Sequence, residues 1–168
     1  MPARRLPAIL LIMVHPATGV LAGCTENDEV DSPELDEAAL LQAVLAYSES
    51  LSRVNPEPLL SKHSAMVDVW VAPENVAQYE SLGSSSPLPT KFSEGTLIVK
   101  NQLDEDLQPF NATVMYKAFP GYNPEVNDWW FATVDLRSGE LDEAGPDLPS
   151  CVSCHSDVTS TDFVFGLP

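Results

Sequence analysis

The sequence has few positively charged residues. It holds 8 Lys and Arg against 25 Asp and Glu, which gives a net charge of −17. A chain this acidic is repelled by nucleic acid and by anionic lipid surfaces, so neither is expected as a partner. Cysteine and histidine are also scarce, with three of each. Few sulfur and imidazole groups are therefore present from which a metal or redox site could be built.

Long hydrophobic runs and repeats are missing as well. The apolar run near the N-terminus, residues 6–14, is too short to span a bilayer as a helix. Proline, by contrast, is frequent, with 15 residues scattered along the chain. The length of 168 residues predicts one domain that can bury a single core. The scattered prolines predict many turns and extended segments within it.

Residues 1–23 have the pattern of an export signal. Arg4 and Arg5 form a basic start, the short apolar run follows, and the segment ends in Leu-Ala-Gly before Cys24. This ending resembles the bacterial lipobox, in which cleavage precedes the cysteine and its sulfur is acylated. We therefore expect a lipoprotein signal peptide over residues 1–23 and a lipid anchor on Cys24.

The residues after Cys24 indicate where the protein resides. Residues 24–32 are acidic and nearly without apolar side chains, which is typical of a solvated tether. Thr25 stands where an aspartate would signal retention in the inner membrane. By that resemblance we expect a protein of the cell envelope, anchored to the outer membrane by lipid alone and facing the periplasm. Residues 33–168 then form the folded domain.

Near the C-terminus, Cys151, Cys154 and His155 form the sequence Cys-x-x-Cys-His, the attachment signature of a c-type haem. Two thiols at this spacing can each add to a haem vinyl group. The imidazole that follows the second thiol can then bind the iron as the proximal ligand. Export supports this interpretation, because thioether attachment in bacteria takes place outside the cytoplasm. One covalently bound haem c is therefore the expected cofactor.

Other uses of this motif remain open. A Cys151–Cys154 disulfide or a redox Cys-x-x-Cys would explain the thiols but not His155, and no thioredoxin-like βαβ pattern surrounds them. A zinc site usually needs four Cys or His ligands, and the remaining ones here are Cys24, His15 and His63. Cys24 and His15 belong to the export signal, so zinc would require carboxylates.

Hydrophobic periodicity predicts an α+β fold. An apolar stripe at helical spacing predicts an amphipathic helix over about 33–53, with Ser32 as N-cap. Alternating or β-branched segments predict four strands, and a weaker fifth after Ser138-Gly139, with a short helix between the first two. Short links between consecutive strands favour an antiparallel sheet. The four strands are 65–72, 95–100, 111–119 and 129–135, the short helix is 73–82, and 83–89 is a flexible connection.

Four segments in order resemble the cytochrome P-460 and cytochrome c′-beta family, and together they cover residues 60–168. They are His63 to Val71, Phe92 to Lys100, Thr113 to Pro120 with Asn127 to Trp130, and Cys151 to Asp157 with Asp162 to Phe165. The resemblance implies a mainly antiparallel sheet, a homodimer and a five-coordinate haem with an open distal face. It carries over to Cys151, Cys154 and His155, which match the motif.

The resemblance also raises two questions about the distal site. Enzymatic members carry a lysine bonded to the haem and oxidise hydroxylamine with a distal carboxylate. Lys91, Lys100 and Lys117 are candidates for that lysine, and each is otherwise an ordinary surface residue. The link between Lys100 and Thr113 is short for the catalytic segment, and Glu105 and Asp106 fit a solvated turn. Members without the cross-link cap the iron with phenylalanine, for which the candidates are Phe92, Phe110 and Phe131.

Three functions follow from these possibilities. The favoured one is a haem protein whose open iron site binds a small gas such as nitric oxide. The second is an oxidoreductase acting on hydroxylamine or nitric oxide. The third is a periplasmic electron carrier, with a redox partner protein and a second iron ligand drawn from Met66, Met115 or His63. Both methionines lie in strand patterns in which core packing already explains them.

Overall fold

The structure, a computed structural model, describes residues 33–62, 65–82 and 90–167. The predictions for the signal peptide, Cys24, the acidic tether, His63 and the 83–89 connection lie outside these residues. No helix within the described ranges combines the length and the apolar character needed to cross a bilayer.

The described residues form a seven-stranded sheet in which every neighbouring pair of strands is antiparallel. The strands are β1 Ser52–Arg53, β2 Leu59–Leu60, β3 Met66–Val71, β4 Leu97–Leu103, β5 Pro109–Lys117, β6 Trp129–Asp135 and β7 Glu140–Gly145. Their order in the sheet is β1-β3-β4-β5-β6-β7, and β2 also pairs with β3. This confirms the α+β class with an antiparallel sheet.

The helices in the described chain are short. Four are α-helical: α1 Glu37–Leu45, α2 Tyr47–Ser50, α3 Val76–Ser81 and α4 Pro149–His155. Three segments are 3-10 helices: Pro73–Asn75, Pro124–Val126 and Ser156–Thr161. The predicted helix over 73–82 is therefore present, as a 3-10 turn that continues into α3.

The long N-terminal helix predicted over 33–53 is wrong in its length. Helix α1 begins at Glu37, four residues after Pro33, because the side chain of Asp36 caps it by accepting from the backbone N of Ala39 at 2.9 Å. Ser32, the predicted N-cap, lies outside the described residues. The chain departs from helical geometry at Ala46 and becomes extended at Leu51. The next two residues pair with β3 and form β1. Pairing with the sheet thus ends a stripe whose spacing alone favoured a longer helix.

The strand predictions differ from the structure mainly at the ends. β6 matches its predicted range at both ends, and β3 loses one residue at each end. β4 begins at Leu97, two residues late, because Gly95 lies in a turn with φ of +87° that favours glycine. The sheet has more strands than the four or five predicted, since β1 and β2 contain two residues each and show no alternation.

The two faces of the sheet bury different parts of the chain. One face packs against α1 and α2 through Leu40, Val44 and Tyr47, which contact strand residues such as Val99 and Trp130. The opposite face packs against α3 and the C-terminal segment. Its buried residues include Val67, Val69, Val71, Ile98, Met115, Trp129 and Phe131, together with Tyr79, Phe163 and Val164. The Cys-x-x-Cys-His segment lies over this second face.

Candidate cofactor site around His155

Helix α4 carries all three residues of the motif. Pro149 opens it at a position where a missing N–H costs nothing. The Leu148 carbonyl accepts from the backbone N–H groups of Cys151 and Val152, each at 2.9 Å. Residues three apart are neighbours on the surface of a helix. Both thiols of the motif therefore lie on the same side of α4.

The two thiols are not joined to each other. Cys151 is half-buried and Cys154 is exposed, and neither forms a disulfide. Burial raises the pKa of the Cys151 thiol above its usual value. Neither thiol is therefore taken up by a disulfide bond.

His155 is buried, with 8 % of its surface exposed. Its Nδ1 lies 2.6 Å from the backbone carbonyl oxygen of Phe163. Because a carbonyl can only accept, Nδ1 is the nitrogen that carries the proton and donates it. In a neutral imidazole with this tautomer, the lone pair lies on Nε2. A histidine held in this way by a backbone carbonyl has the tautomer and the fixed orientation of a metal-ligating imidazole.

Two aromatic rings flank the imidazole. The ring centroid of Phe131 lies 5.5 Å from that of His155, and the ring centroid of Phe165 lies 5.2 Å away at an interplanar angle of 70°. Tyr79 donates its hydroxyl to the carbonyl of Phe165 at 2.8 Å, which ties this C-terminal residue to α3. The imidazole is thus confined by apolar rings as well as by its hydrogen bond.

Two cavities adjoin the motif. The larger, of about 320 Å³, is bordered by Cys154, Phe165 and Lys100, and its remaining walls come mainly from β2, β3 and the C-terminal residues. This volume falls at the lower end of the roughly 300–1,000 Å³ typical of ligand pockets. The smaller, of about 30 Å³, is bordered by Cys151 and His155 and again by Lys100. Cys151 therefore borders the smaller cavity and Cys154 the larger one.

Only Lys100 among the three candidate lysines lines these cavities. Lys91 is exposed, and Lys117 is buried in a salt bridge with Asp162. Lys100 lies on β4, paired with Val69 on one side and Thr113 on the other. Burial of its ammonium group, with a smaller contribution from the Lys62 charge, lowers its pKa from 10.5 to about 8.

Of the three phenylalanine candidates for the residue that caps the iron, one borders a cavity. Phe131 borders the smaller cavity beside His155. Phe92 is buried against Trp129, with ring centroids 5.8 Å apart, and Phe110 lies under the guanidinium of Arg137. Sequence reasoning missed Phe165 as a site residue. The only signal for it was its place at the end of the segment that resembles the cytochrome family.

The remaining candidates lie apart or are already engaged. Met115 borders the smaller cavity but is 6 % exposed and belongs to the core, as its strand pattern predicted. Met66 begins β3 and borders neither cavity. Glu105 and Asp106 are exposed in the turn between β4 and β5, the solvated acidic turn that was expected.

The donor set fits a haem better than a zinc ion. Two thiols outside a disulfide, a carbonyl-oriented imidazole and adjoining cavities with mostly apolar walls meet at α4. In the part of the chain that the structure describes, no three His, Cys, Asp or Glu side chains converge as metal ligands. The zinc alternative thus gains no support from these residues.

No family model, no curated protein and no solved structure matches this chain. Its own residues are therefore the ground on which a function can be assigned.

Proposed function

We propose that this chain is an exported c-type haem protein of the cytochrome P-460 and cytochrome c′-beta kind, with an open iron site that binds a small gas such as nitric oxide. One observation carries the proposal. Two thiols in Cys-x-x-Cys-His spacing lie on α4 beside a buried histidine whose Nδ1 is held by the Phe163 carbonyl. This is the donor set that thioether attachment and proximal ligation require.

In this proposal each residue of the motif has one role. Cys151 and Cys154 hold the porphyrin by thioether bonds, and His155 binds the iron through Nε2. The bound haem supplies a ferrous iron that takes up diatomic ligands. The chain keeps the imidazole oriented through the Phe163 carbonyl, and the apolar walls contributed by Leu59, Val67 and Val69 limit the access of water.

The preference for an open site rests on the residues that border the two cavities. Met115, which borders the smaller cavity together with His155, is packed in the core, and none of the described residues that border the larger cavity is a histidine or methionine. A haem held through His155 alone would leave its iron able to take an added ligand. The same proposal includes export by residues 1–23, an acylated Cys24 facing the periplasm, and a homodimer.

Lys100 favours a second candidate function, oxidation of hydroxylamine or nitric oxide. It borders both cavities, and its lowered pKa of about 8 makes the neutral amine accessible near physiological pH. Lys100 is therefore the residue to examine for a bond to the haem. An electron carrier is the weaker alternative. Among the described residues, Met115 is the one methionine that borders a cavity together with His155, and it is packed in the core.

Covalent attachment tests the proposal directly. Expressed with a cytochrome c maturation system, the protein should keep its haem through denaturing electrophoresis and acid–acetone extraction. Cys151→Ala combined with Cys154→Ala should lose it. Ser153→Ala, a change within the same helix that spares both thiols, should retain it. A wild-type protein that releases its haem, or never acquires one, would overturn the proposal.

A further inference from the structure

The buried side-chain carboxylate of Asp162 accepts hydrogen bonds from three parts of the fold. Asp162, 1 % exposed, follows the 3-10 helix that extends α4. The Nζ of Lys117 lies 2.9 Å from its Oδ1 and 2.7 Å from its Oδ2. Asn127 donates its Nδ2 to Oδ1 at 2.9 Å, and the backbone N of Phe92 donates to Oδ2 at 2.8 Å. Both oxygens of the carboxylate are thus satisfied by groups distant in sequence.

The backbone at Asp162 is held as firmly as its side chain. Its carbonyl accepts from the indole N of Trp129 at 2.7 Å, and the Nζ of Lys117 lies 4.6 Å from the centroid of the same indole. Asp162 and Phe163 have φ angles of 56° and 64°, in the left-handed region that few residues other than glycine adopt. Such a conformation persists where the surrounding contacts enforce it.

This backbone conformation bears directly on the histidine. Phe163 is the residue whose carbonyl accepts from Nδ1 of His155. Two consecutive left-handed residues reverse the chain after the 3-10 helix and turn that carbonyl back toward α4. Any loosening at Asp162 would therefore change the hydrogen bond on the imidazole, although Asp162 is seven residues from His155.

We propose that Lys117 and Asp162 are positioning residues for His155: their buried ion pair holds the Phe163 carbonyl on Nδ1 and so sets the basicity and orientation of the iron ligand. The inference rests on the proposed haem. A carbonyl on the outer nitrogen of a metal-bound imidazole raises its basicity, and the loss of such a partner typically changes metal affinity or activity about 10- to 100-fold.

A purely architectural ion pair would behave differently. It would affect stability while leaving the iron–histidine bond unchanged. Removing one partner alone would leave a buried charge without a counterion and endanger folding. The double variant Lys117→Met, Asp162→Asn avoids this, because no charge is left unpaired and asparagine tolerates the left-handed conformation.

The ferrous holoprotein supplies the readout. In the double variant the iron–histidine stretching band should shift to lower frequency, because the imidazole is a weaker donor. The Nδ1 proton of His155 should exchange with solvent faster, because its hydrogen bond to the Phe163 carbonyl is weakened. Asn127→Ala, which removes one donor to Oδ1, should shift both quantities in the same direction by a smaller amount.

Two controls make the result specific. Arg137→Met breaks the exposed Arg137–Asp104 ion pair of 2.8 Å, away from the site, and should leave both signals at their wild-type values. Lys117→Arg keeps the charge and should restore much of the wild-type behaviour. A double variant that attaches haem yet keeps the wild-type band and exchange rate overturns the inference. Failure of the wild type to attach haem would instead count against the proposed function.

Discussion

Two adjacent tryptophans on β6 allow the role of the second sheet face to be measured against an internal control. Trp129 and Trp130 are both fully buried but point to opposite faces. Trp129 donates its indole N–H to the buried carbonyl of Asp162 at 2.7 Å, whereas Trp130 donates to the exposed Glu37 at 3.0 Å. Changing each to phenylalanine removes the same ring volume and the same donor.

The two substitutions should differ in cost by about 2 kcal/mol. Trp130→Phe frees an exposed carboxylate that water can solvate, so the lost hydrogen bond costs about 1 kcal/mol. Trp129→Phe leaves a buried carbonyl unsatisfied, at roughly 1–3 kcal/mol. It also weakens the contact between the Lys117 ammonium and the indole face. Such a contact is worth about 2 kcal/mol where desolvated, and the smaller phenyl ring keeps part of it. These differences add to the change in packing that both variants share.

Urea unfolding of the holoprotein measures this difference. If the free energy of unfolding falls with urea concentration at the same slope in both variants, they expose the same surface on unfolding and differ in stability alone. Trp129→Phe should unfold at the lower urea concentration. Only this variant should shift the iron–histidine stretching band. Equal losses for the two variants would refute the view that Trp129 supports the C-terminal segment.

Three further outcomes are expected. Intact-mass analysis of membrane-extracted protein should show a chain that begins at an acylated Cys24, and Cys24→Ala should abolish the acylation; a soluble form cut elsewhere would contradict it. In the haem-free Cys151→Ala, Cys154→Ala variant, stability should rise between pH 8 and 10.5, because the folded state binds fewer protons at Lys100 than the unfolded state in this interval. Lys100→Met should remove that rise, and an unchanged pH profile would contradict it. Tyr79→Phe should cost about 1 kcal/mol in thermal unfolding by leaving the Phe165 carbonyl without its donor, and a neutral effect would contradict it.

The parts of the fold that the sequence predicted well are those with a clear local signal. Trp129–Asp135 is rich in aromatic and β-branched residues and is bounded by turn residues, so its ends were predictable. β1 and β2 have two residues each, too few for any period, and exist because β3 offers them a partner. The N-terminal helix was predicted too long because its apolar stripe continues to Leu51, where sheet pairing takes over.

The candidate site also has parts that the sequence predicts and parts that only the fold reveals. Cys151, Cys154 and His155 are close in sequence, and their spacing alone indicates shared chemistry. The Phe163 carbonyl is a backbone group, so no residue type in the sequence marks it as a partner of His155. Lys117 and Asp162 are separated by 45 positions, and only the tertiary fold brings them to 2.7 Å. The choice among three lysines likewise depended on which strand face borders the cavities.

The optical spectrum of the purified ferrous protein, recorded before and after carbon monoxide is added, tests the central claim most directly. We expect a five-coordinate spectrum with an ordinary c-type Soret band that changes on addition of the gas, and a similar response to nitric oxide. A strongly red-shifted band, with a haem-peptide mass tied to Lys100, would favour the enzyme instead. A six-coordinate low-spin spectrum unaffected by carbon monoxide would contradict the open iron site and favour the electron carrier.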